Sequence, residues 1–134
     1  MILYLLDTDI CIYLIKKQPP EILERFARHH PGDVAISTIS VFELEYGAAK
    51  SRFSRKSYRA LDKFLAPLEV VDLDRAAAAE AAVIRADLER RGTPIGAYDL
   101  LIAGLARSQN MILVTNNTRE FSRIDGLKLE NWAR

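Results

Sequence analysis

Short runs of apolar residues alternate along the chain with longer segments in which apolar residues recur every three or four positions. Such short runs are typical of strands that helices cover on both faces, as in parallel sheets. Helical stretches of ten residues or more separate the runs, which favours an α/β fold with a parallel sheet. The predicted strands are residues 2–6, 33–37, 68–73 and 111–115, with residues 127–132 as a last strand at the edge.

Proline, glycine and capping residues mark the predicted helix boundaries. Ser40 and Glu43 have the spacing of a capping box, in which each residue bonds the other's backbone at the start of a helix. Asp74 is expected to cap an alanine-rich helix that Gly92 ends. The other predicted helices run from Pro19 and Pro20 to the loop at residues 29–32, and from about residue 97 to residue 108.

Length and composition restrict the chain to one soluble domain over residues 1–134. Its 134 residues leave room for one core, and 49% apolar with 28% charged residues exclude a disordered or fibrous chain. Nineteen basic against eighteen acidic residues give a net charge of +1, so no global field attracts a polyanion. Any surface that binds nucleic acid must be local.

The cysteine count and the start of the chain bear on the cellular compartment. Cys11 is the single cysteine, so neither an intramolecular disulfide nor a cysteine-built zinc site is possible. The chain starts with a short apolar run and no basic leader, too little for a signal peptide or a membrane span. We expect a cytoplasmic protein with no membrane association.

Polar side chains follow two of the predicted strands directly. Asp7 and Asp9 come after the first strand, and Thr115 and Asn117 after the strand that starts at residue 111. In an open parallel sheet, ligands bind at the carboxyl ends of the strands, where several loops converge. These two polar groups are therefore expected at one edge of the sheet.

Two further carboxylates are candidates for the same place. Asp99 precedes an apolar run, so its helical neighbours three and four positions on are apolar, and Glu43 lies in a helix that follows a buried strand. Asp7, Glu43 and Asp99 would repel one another unless a cation neutralised them. Oxygen ligands alone favour Mg²⁺ or Mn²⁺, which suits phosphodiester hydrolysis. The structural alternatives are a capping box for Glu43, a helix cap for Asp7 and a helix-dipole contact for Asp99.

Four segments, in order along the whole chain, resemble the PIN-domain toxins of the VapC type. They are LLDTD at residues 5–9, ISVFELEYG at 39–47, PIGAYD at 94–99 and LVTNNTREF at 113–121. The resemblance implies a three-layer α/β/α PIN fold with a central parallel sheet of about four to five strands. It also implies a Mg²⁺- or Mn²⁺-dependent endoribonuclease toxin, a VapB-type antitoxin that blocks its active site, and a homodimer. The members most like this chain act on tRNA, at the anticodon loop of initiator tRNA.

By the same resemblance, Asp7, Glu43 and Asp99 match the metal-binding acids, and Thr115 matches a hydroxyl residue beside them. Asn117 stands where the family often has a fourth aspartate, and an amide offers a neutral oxygen with one fewer charge for a second cation. Asp9, at a position that is Asn in many members, and Glu120 are candidates to restore that charge.

Local basic residues are candidates for contact with RNA phosphates. Six basic residues against one acid lie between positions 50 and 63, and Arg52, Arg55 and Lys56 are the candidates among them. Arg119 follows the polar strand end, where its guanidinium could bind a phosphate with two hydrogen bonds. The alternatives are a solvated helix face and an ordinary surface ion pair.

Two other enzyme and signalling classes share part of the pattern. Asp7 and Asp9 after a buried strand also resemble the nucleophile and acid of haloacid-dehalogenase-type phosphatases, but the later lysine and paired acids of that class are missing. A receiver domain would fit the length, with Asp72 or Asp74 as phosphoacceptor, but it needs adjacent acids after the first strand and a later lysine.

Overall fold

The computed structural model describes residues 2–133 and contains a five-stranded, fully parallel sheet. The strand order is β3-β2-β1-β4-β5, so the first strand lies at the centre. The first strand pairs with β2 on one side and with β4 on the other. The strands are β1 (Tyr4–Leu6), β2 (Val34–Ser37), β3 (Glu69–Val71), β4 (Ile112–Val114) and β5 (Lys128–Glu130).

Helices cover both faces of this sheet. They are α1 (Thr8–Lys16), α2 (Pro20–Ala27), α3 (Thr38–Lys50), α4 (Ser54–Leu65), α5 (Arg75–Arg90), α6 (Ala97–Ser108) and the single turn α7 (Thr118–Phe121). Leu5 belongs to a core formed with α5 and α6, whereas Leu6 belongs to a core formed mainly with α1 and α3. Adjacent residues of a strand point to opposite faces, so the arrangement is the expected three-layer α/β/α fold.

The helix that carries Glu43 begins earlier than the sequence pattern predicts. The prediction that Ser40 and Glu43 form a capping box is wrong. Helix α3 starts at Thr38, and its cap is Ser37, whose side chain accepts a 3.0 Å hydrogen bond from the Ser40 backbone N–H. Ser40 therefore lies within the first turn of the helix and Glu43 in the next turn. By contrast, Asp74 caps α5 as predicted, because its side chain accepts from the Ala77 N–H at 2.9 Å.

The third strand is less buried than its apolar sequence predicts. It lies at the edge of the sheet beside β2, where Glu69 and Val70 are exposed to solvent. The prediction that helices cover both of its faces is therefore wrong, because these two consecutive residues point to opposite faces and both are exposed. The last strand, β5, is confirmed at the opposite edge. No helix in the span of residues 2–133 is long and apolar enough to cross a membrane.

Candidate active site

Polar residues converge where β1 and β4 end, at the centre of the sheet. The chain passes from β1 to β2 and then β3 on one side of β1, and it returns to the other side of β1 to form β4. Parallel sheets open a crevice at such a switch point, outside the carboxyl ends of the strands. Asp7 follows β1 and Thr115 follows β4, and the Asp7 backbone N–H donates to the Val114 carbonyl at 2.8 Å. The two polar groups therefore meet at the predicted edge of the sheet.

Asp7 is a buried carboxylate with both oxygens held by hydrogen bonds. Its side chain is 5% exposed. Oδ1 accepts from the Thr8 backbone N–H at 2.9 Å, and Oδ2 accepts from the Thr115 hydroxyl at 2.8 Å. Burial, followed by the charge of Asp9, raises the pKa of Asp7 to about 7. The residue caps α1 and also presents a poorly compensated negative charge to the crevice.

Glu43 reaches this edge through a hydroxyl on another helix. The Thr8 hydroxyl donates to Glu43 Oε1 at 2.8 Å and lies 2.8 Å from the hydroxyl of Ser40. Because a hydroxyl has only one proton to donate, Ser40 is the donor in the second contact. The buried Ser40 thus supports Thr8, and Thr8 fixes one oxygen of Glu43.

Asp99 enters the crevice from the first turn of α6. The residue is half-buried, and burial is the largest cause that raises its pKa to about 6. The charges of Asp7, Glu120 and Glu43 raise it further, in that order. The position of Asp99 in the first turn of α6 also complements the dipole of that helix.

The residues proposed to supply additional ligands lie around these three acids. Asp9 Oδ2 accepts from the Asn116 backbone N–H at 3.3 Å, while Asp9 Oδ1 is buried with no hydrogen-bond partner within residues 2–133. Burial raises the pKa of Asp9 as well. The Asn117 backbone N–H donates to the Thr115 hydroxyl, and its side-chain amide donates to Glu120 Oε2, both at 2.9 Å. Glu120 therefore bonds the amide nitrogen of Asn117 and leaves the side-chain carbonyl oxygen of Asn117 uninvolved.

The crevice carries more negative charge than its protein surroundings balance. In the described part of the chain, no ion pair involves any of its five acids, which are Asp7, Asp9, Glu43, Asp99 and Glu120. Nor, among residues 2–133, does any group of three His, Cys, Asp or Glu side chains stand in an arrangement that could hold a metal ion. These acids therefore do not form a preformed metal site within the described span. The orphaned Asp9 oxygen and the purely oxygen donor set nevertheless fit a hard divalent cation.

The predicted phosphate-binding residues lie outside this crevice. Arg52 lies just before α4, and Arg55 and Lys56 lie in its first turn; all three are exposed. Arg119 is exposed on the short helix α7, and its side chain takes part in no ion pair within the described span. None of these basic groups forms an ion pair with an acid of the crevice within the described span.

Thr8 and Ser40 are site residues that sequence reasoning missed. Thr8 is recognisable only as a hydroxyl between two acids, and Ser40 has the pattern of a helix cap. Their joint role depends on α1 and α3 meeting beside the sheet, a contact between residues 32 positions apart. The local sequence signal is a serine three residues before an acid, as Ser40 is before Glu43.

Comparison with known proteins gives a consistent result over nearly the whole chain. The family model described as the PIN domain matches residues 4–127. The chain is 44% identical over 133 residues to the tRNA(fMet)-specific endonuclease VapC of Shigella flexneri, covering 99% of this chain and 100% of that protein. It is 45% identical to the protein of the same name from Salmonella typhimurium, with the same coverage. The solved structure of DNA-bound VapBC from Salmonella typhimurium matches with a TM-score of 0.93 and 45% identity, covering 98% of this chain and 99% of that one.

Proposed function

The chain belongs to the PIN domain family, and from this membership we propose that it is the toxin of a type II toxin–antitoxin system. Its activity is divalent-metal-dependent hydrolysis of RNA phosphodiester bonds in tRNA, which inhibits translation in the cytoplasm. The proposed substrate is initiator tRNA, cut in the anticodon loop, because two relatives at 44% and 45% identity carry the name of tRNA(fMet)-specific endonucleases. The whole chain, residues 1–134, serves as a single PIN domain.

We infer the catalytic site from one observation, the buried Asp7 carboxylate at the central switch point, which pairs with no cation among the described residues; Glu43 and Asp99 are its proposed partners. Mg²⁺, for which Mn²⁺ can substitute, is the proposed cofactor; when bound, such an ion polarises a phosphate oxygen and generates hydroxide from water. Thr115 and the Thr8 backbone hold Asp7 in place. Thr8 holds Glu43 by Oε1, which leaves Oε2 for the crevice. Hydrolysis by water leaves a 5′-phosphate on the product.

The number of ions depends on the residues around Asn117. Its amide nitrogen is occupied by Glu120, so only a neutral oxygen is offered where the family often has an aspartate. Asp9, with one unpartnered oxygen, is a better candidate than Asn117 to add charge to the site. We therefore propose one tightly held ion, with Asp9 and Glu120 in supporting positions.

The proposed partners are an antitoxin of the VapB type and a second copy of the chain. The matching Salmonella structure is a VapBC complex, which supports an antitoxin partner here. The receiver and dehalogenase alternatives are not supported, since the PIN domain match covers residues 4–127. In addition, Asp74 is engaged in capping α5 and β3 lies at the sheet edge, away from the crevice that a phosphoacceptor would need.

Cleavage of purified tRNA tests the proposed function directly. Wild type, Asp7→Asn and Asp99→Asn are compared with Mg²⁺, Mn²⁺ or excess EDTA, with the exposed Asp125→Asn as the matched control. We expect wild type and the control to cut only with metal, and both crevice variants to lose at least about a hundredfold in rate. Cleavage that persists in EDTA, or folded crevice variants as active as wild type, would show that the acids are structural.

A further inference from the structure

A cleft lined with exposed aromatic rings opens directly beside the acidic crevice. It lies between α1, α3 and the start of α6 and has a volume of about 550 Å³. Thr8 and Glu43 line it, so the cleft and the candidate active site share two residues. A molecule seated in this cleft would be in contact with Glu43, one of the proposed catalytic acids.

Two of the rings are adjacent in sequence to two of the acids. Phe42 precedes Glu43 and Tyr98 precedes Asp99, and the two rings meet edge to face with their centroids 5.8 Å apart. Phe42 is 55% exposed and Tyr98 is 48% exposed, and with Tyr46 they form a contiguous exposed aromatic patch of the kind that marks interaction sites. Because the two ring planes are inclined by 69°, a planar ligand can stack on the face of only one ring, with the other ring against its edge.

A positive charge borders the same cleft. The Lys50 ammonium lies 4.7 Å from the centre of the Tyr46 ring, and both side chains line the cleft. The chain then continues into the exposed basic residues Arg52 and Arg55. Flat rings next to a cation match the two parts of a nucleotide, because bases stack on aromatic faces and phosphates attract ammonium groups.

We propose that this aromatic cleft, defined by Phe42, Tyr46, Lys50 and Tyr98, binds an unpaired base of the RNA beside the bond that is cut. The base stacks on one ring of the Phe42–Tyr98 pair while the other ring packs against its edge, and its phosphate lies towards Lys50. A base inside a duplex has both faces covered by its neighbours, so stacking of this kind selects unpaired nucleotides. The proposal rests on the proposed ribonuclease function and adds to it the reason why a loop would be cut rather than a stem.

Binding of defined RNAs tests the cleft independently of cleavage. The full-length Asp99→Asn protein, which is expected to be inactive, is titrated by fluorescence anisotropy with a short single-stranded adenosine RNA. A second RNA has the same sugar–phosphate backbone with no bases, and a third is a duplex of the same length. Phe42→Leu and Tyr98→Leu are added to this background, with Tyr98→Phe to restore the ring and the exposed Val83→Ala on α5 as the surface control.

We expect each leucine variant to lose about fivefold to a hundredfold in affinity for the single-stranded RNA, the range typical of one stacked base. Affinity for the base-free RNA and for the duplex should not change, and Tyr98→Phe and Val83→Ala should bind as the parent does. Thermal unfolding of each variant checks that the fold is retained.

Equal affinity of the parent and the leucine variants for the single-stranded RNA would overturn the proposal. So would an equal loss for the base-free RNA, or dissociation of an oligomer in the leucine variants, which would make the cleft a protein interface. The wild-type cleavage assay separates the two levels. If wild type cuts tRNA but the leucine variants bind RNA as tightly as the parent, only the cleft proposal fails. If the leucine variants lose RNA affinity but wild type cuts no tRNA, only the ribonuclease function fails.

Discussion

The hydroxyl of Thr8 donates a 2.8 Å hydrogen bond to Glu43 Oε1, which joins the first turn of α1 to the second turn of α3. The two residues are 35 positions apart in sequence, and neither charge nor periodicity pairs them. Since the backbone N–H of Thr8 also bonds Asp7, one residue positions two of the proposed catalytic acids. Partners of this kind orient the side chains that contact an ion.

Thr8→Val keeps the shape of the side chain but removes this hydroxyl, so it should release Glu43. We expect the turnover of tRNA to fall about tenfold to a hundredfold with little change in KM, because the backbone bond to Asp7 is retained. Steady-state cleavage at saturating Mg²⁺ measures both constants. Thr8→Ser restores the hydroxyl and should recover most of the activity; a valine variant with wild-type turnover would contradict a positioning role.

The metal-free protein should lose stability as the pH rises from about 4 to about 7. Unfolded aspartate has a pKa of 3.8, whereas the folded values are about 7 for Asp7 and about 6 for Asp99. In this window the folded state binds more protons than the unfolded state, so the free energy of unfolding decreases with pH. Urea unfolding in EDTA at several pH values measures the slope, which Asp7→Asn should reduce and the exposed Asp62→Asn should leave unchanged.

Mg²⁺ should stabilise the protein more at pH 7.5 than at pH 5. The acids must be deprotonated to bind an ion, and binding to the folded state alone adds stability. Thermal unfolding with and without 10 mM MgCl₂ at the two pH values provides the comparison. An increase in Tm of the same size at both pH values would show that the ion binds away from the crevice acids.

Asn117→Asp should strengthen metal binding and weaken the metal-free fold. The substitution replaces the 2.9 Å hydrogen bond from Asn117 to Glu120 with two carboxylates facing each other. We expect a loss of about 1.5–3 kcal/mol in EDTA, consistent with removing one hydrogen bond to a charged group. Calorimetric titration with Mn²⁺ should show tighter binding or a second ion, whereas Asn110→Asp, exposed at the turn after α6, should show neither.

Gly104→Ala should destabilise the contact between α5 and α6. A Cβ at Gly104 would lie 2.6 Å from the Ala81 Cβ and 2.8 Å from the Ala77 carbonyl oxygen, both on α5. Overpacking of this kind costs about 1–3 kcal/mol. Gly47→Ala is the matched control, because nothing lies within 4 Å of its added Cβ, and a helix gains about 0.5–1 kcal/mol from alanine. Denaturant unfolding of both variants should give opposite signs.

Removal of basic residues at the start of α4 should change the salt dependence of RNA binding. If Arg55 and Lys56 contact phosphates, each change to Gln should lower the slope of log affinity against log salt by about one. Binding of the Asp99→Asn protein to tRNA between 50 and 200 mM KCl measures this slope. Lys128→Gln, exposed on β5, is the charge-matched control, and equal slopes in all variants would exclude these contacts.

The sequence alone determined the alternation of strands and helices, the parallel sheet and the place of Asp7 and Thr115. These features follow from local rules: apolar runs predict strands, capping residues mark helix ends, and the residue after a parallel strand must lie at its carboxyl edge. Helix α6 begins and ends at the predicted residues, and Asp74 is the predicted cap. The motifs that resemble VapC-type toxins lie on these same elements.

Only the tertiary structure decided which side chains meet. Ser40 has the sequence of a cap, but Ser37 forms the cap, and Ser40 instead supports Thr8 from a neighbouring helix. The ring pair of Phe42 and Tyr98 joins positions 56 residues apart, and β3 lies exposed at an edge of the sheet. Such pairings depend on where helices cross the sheet and which strands are central, and periodicity along one segment carries no information about either.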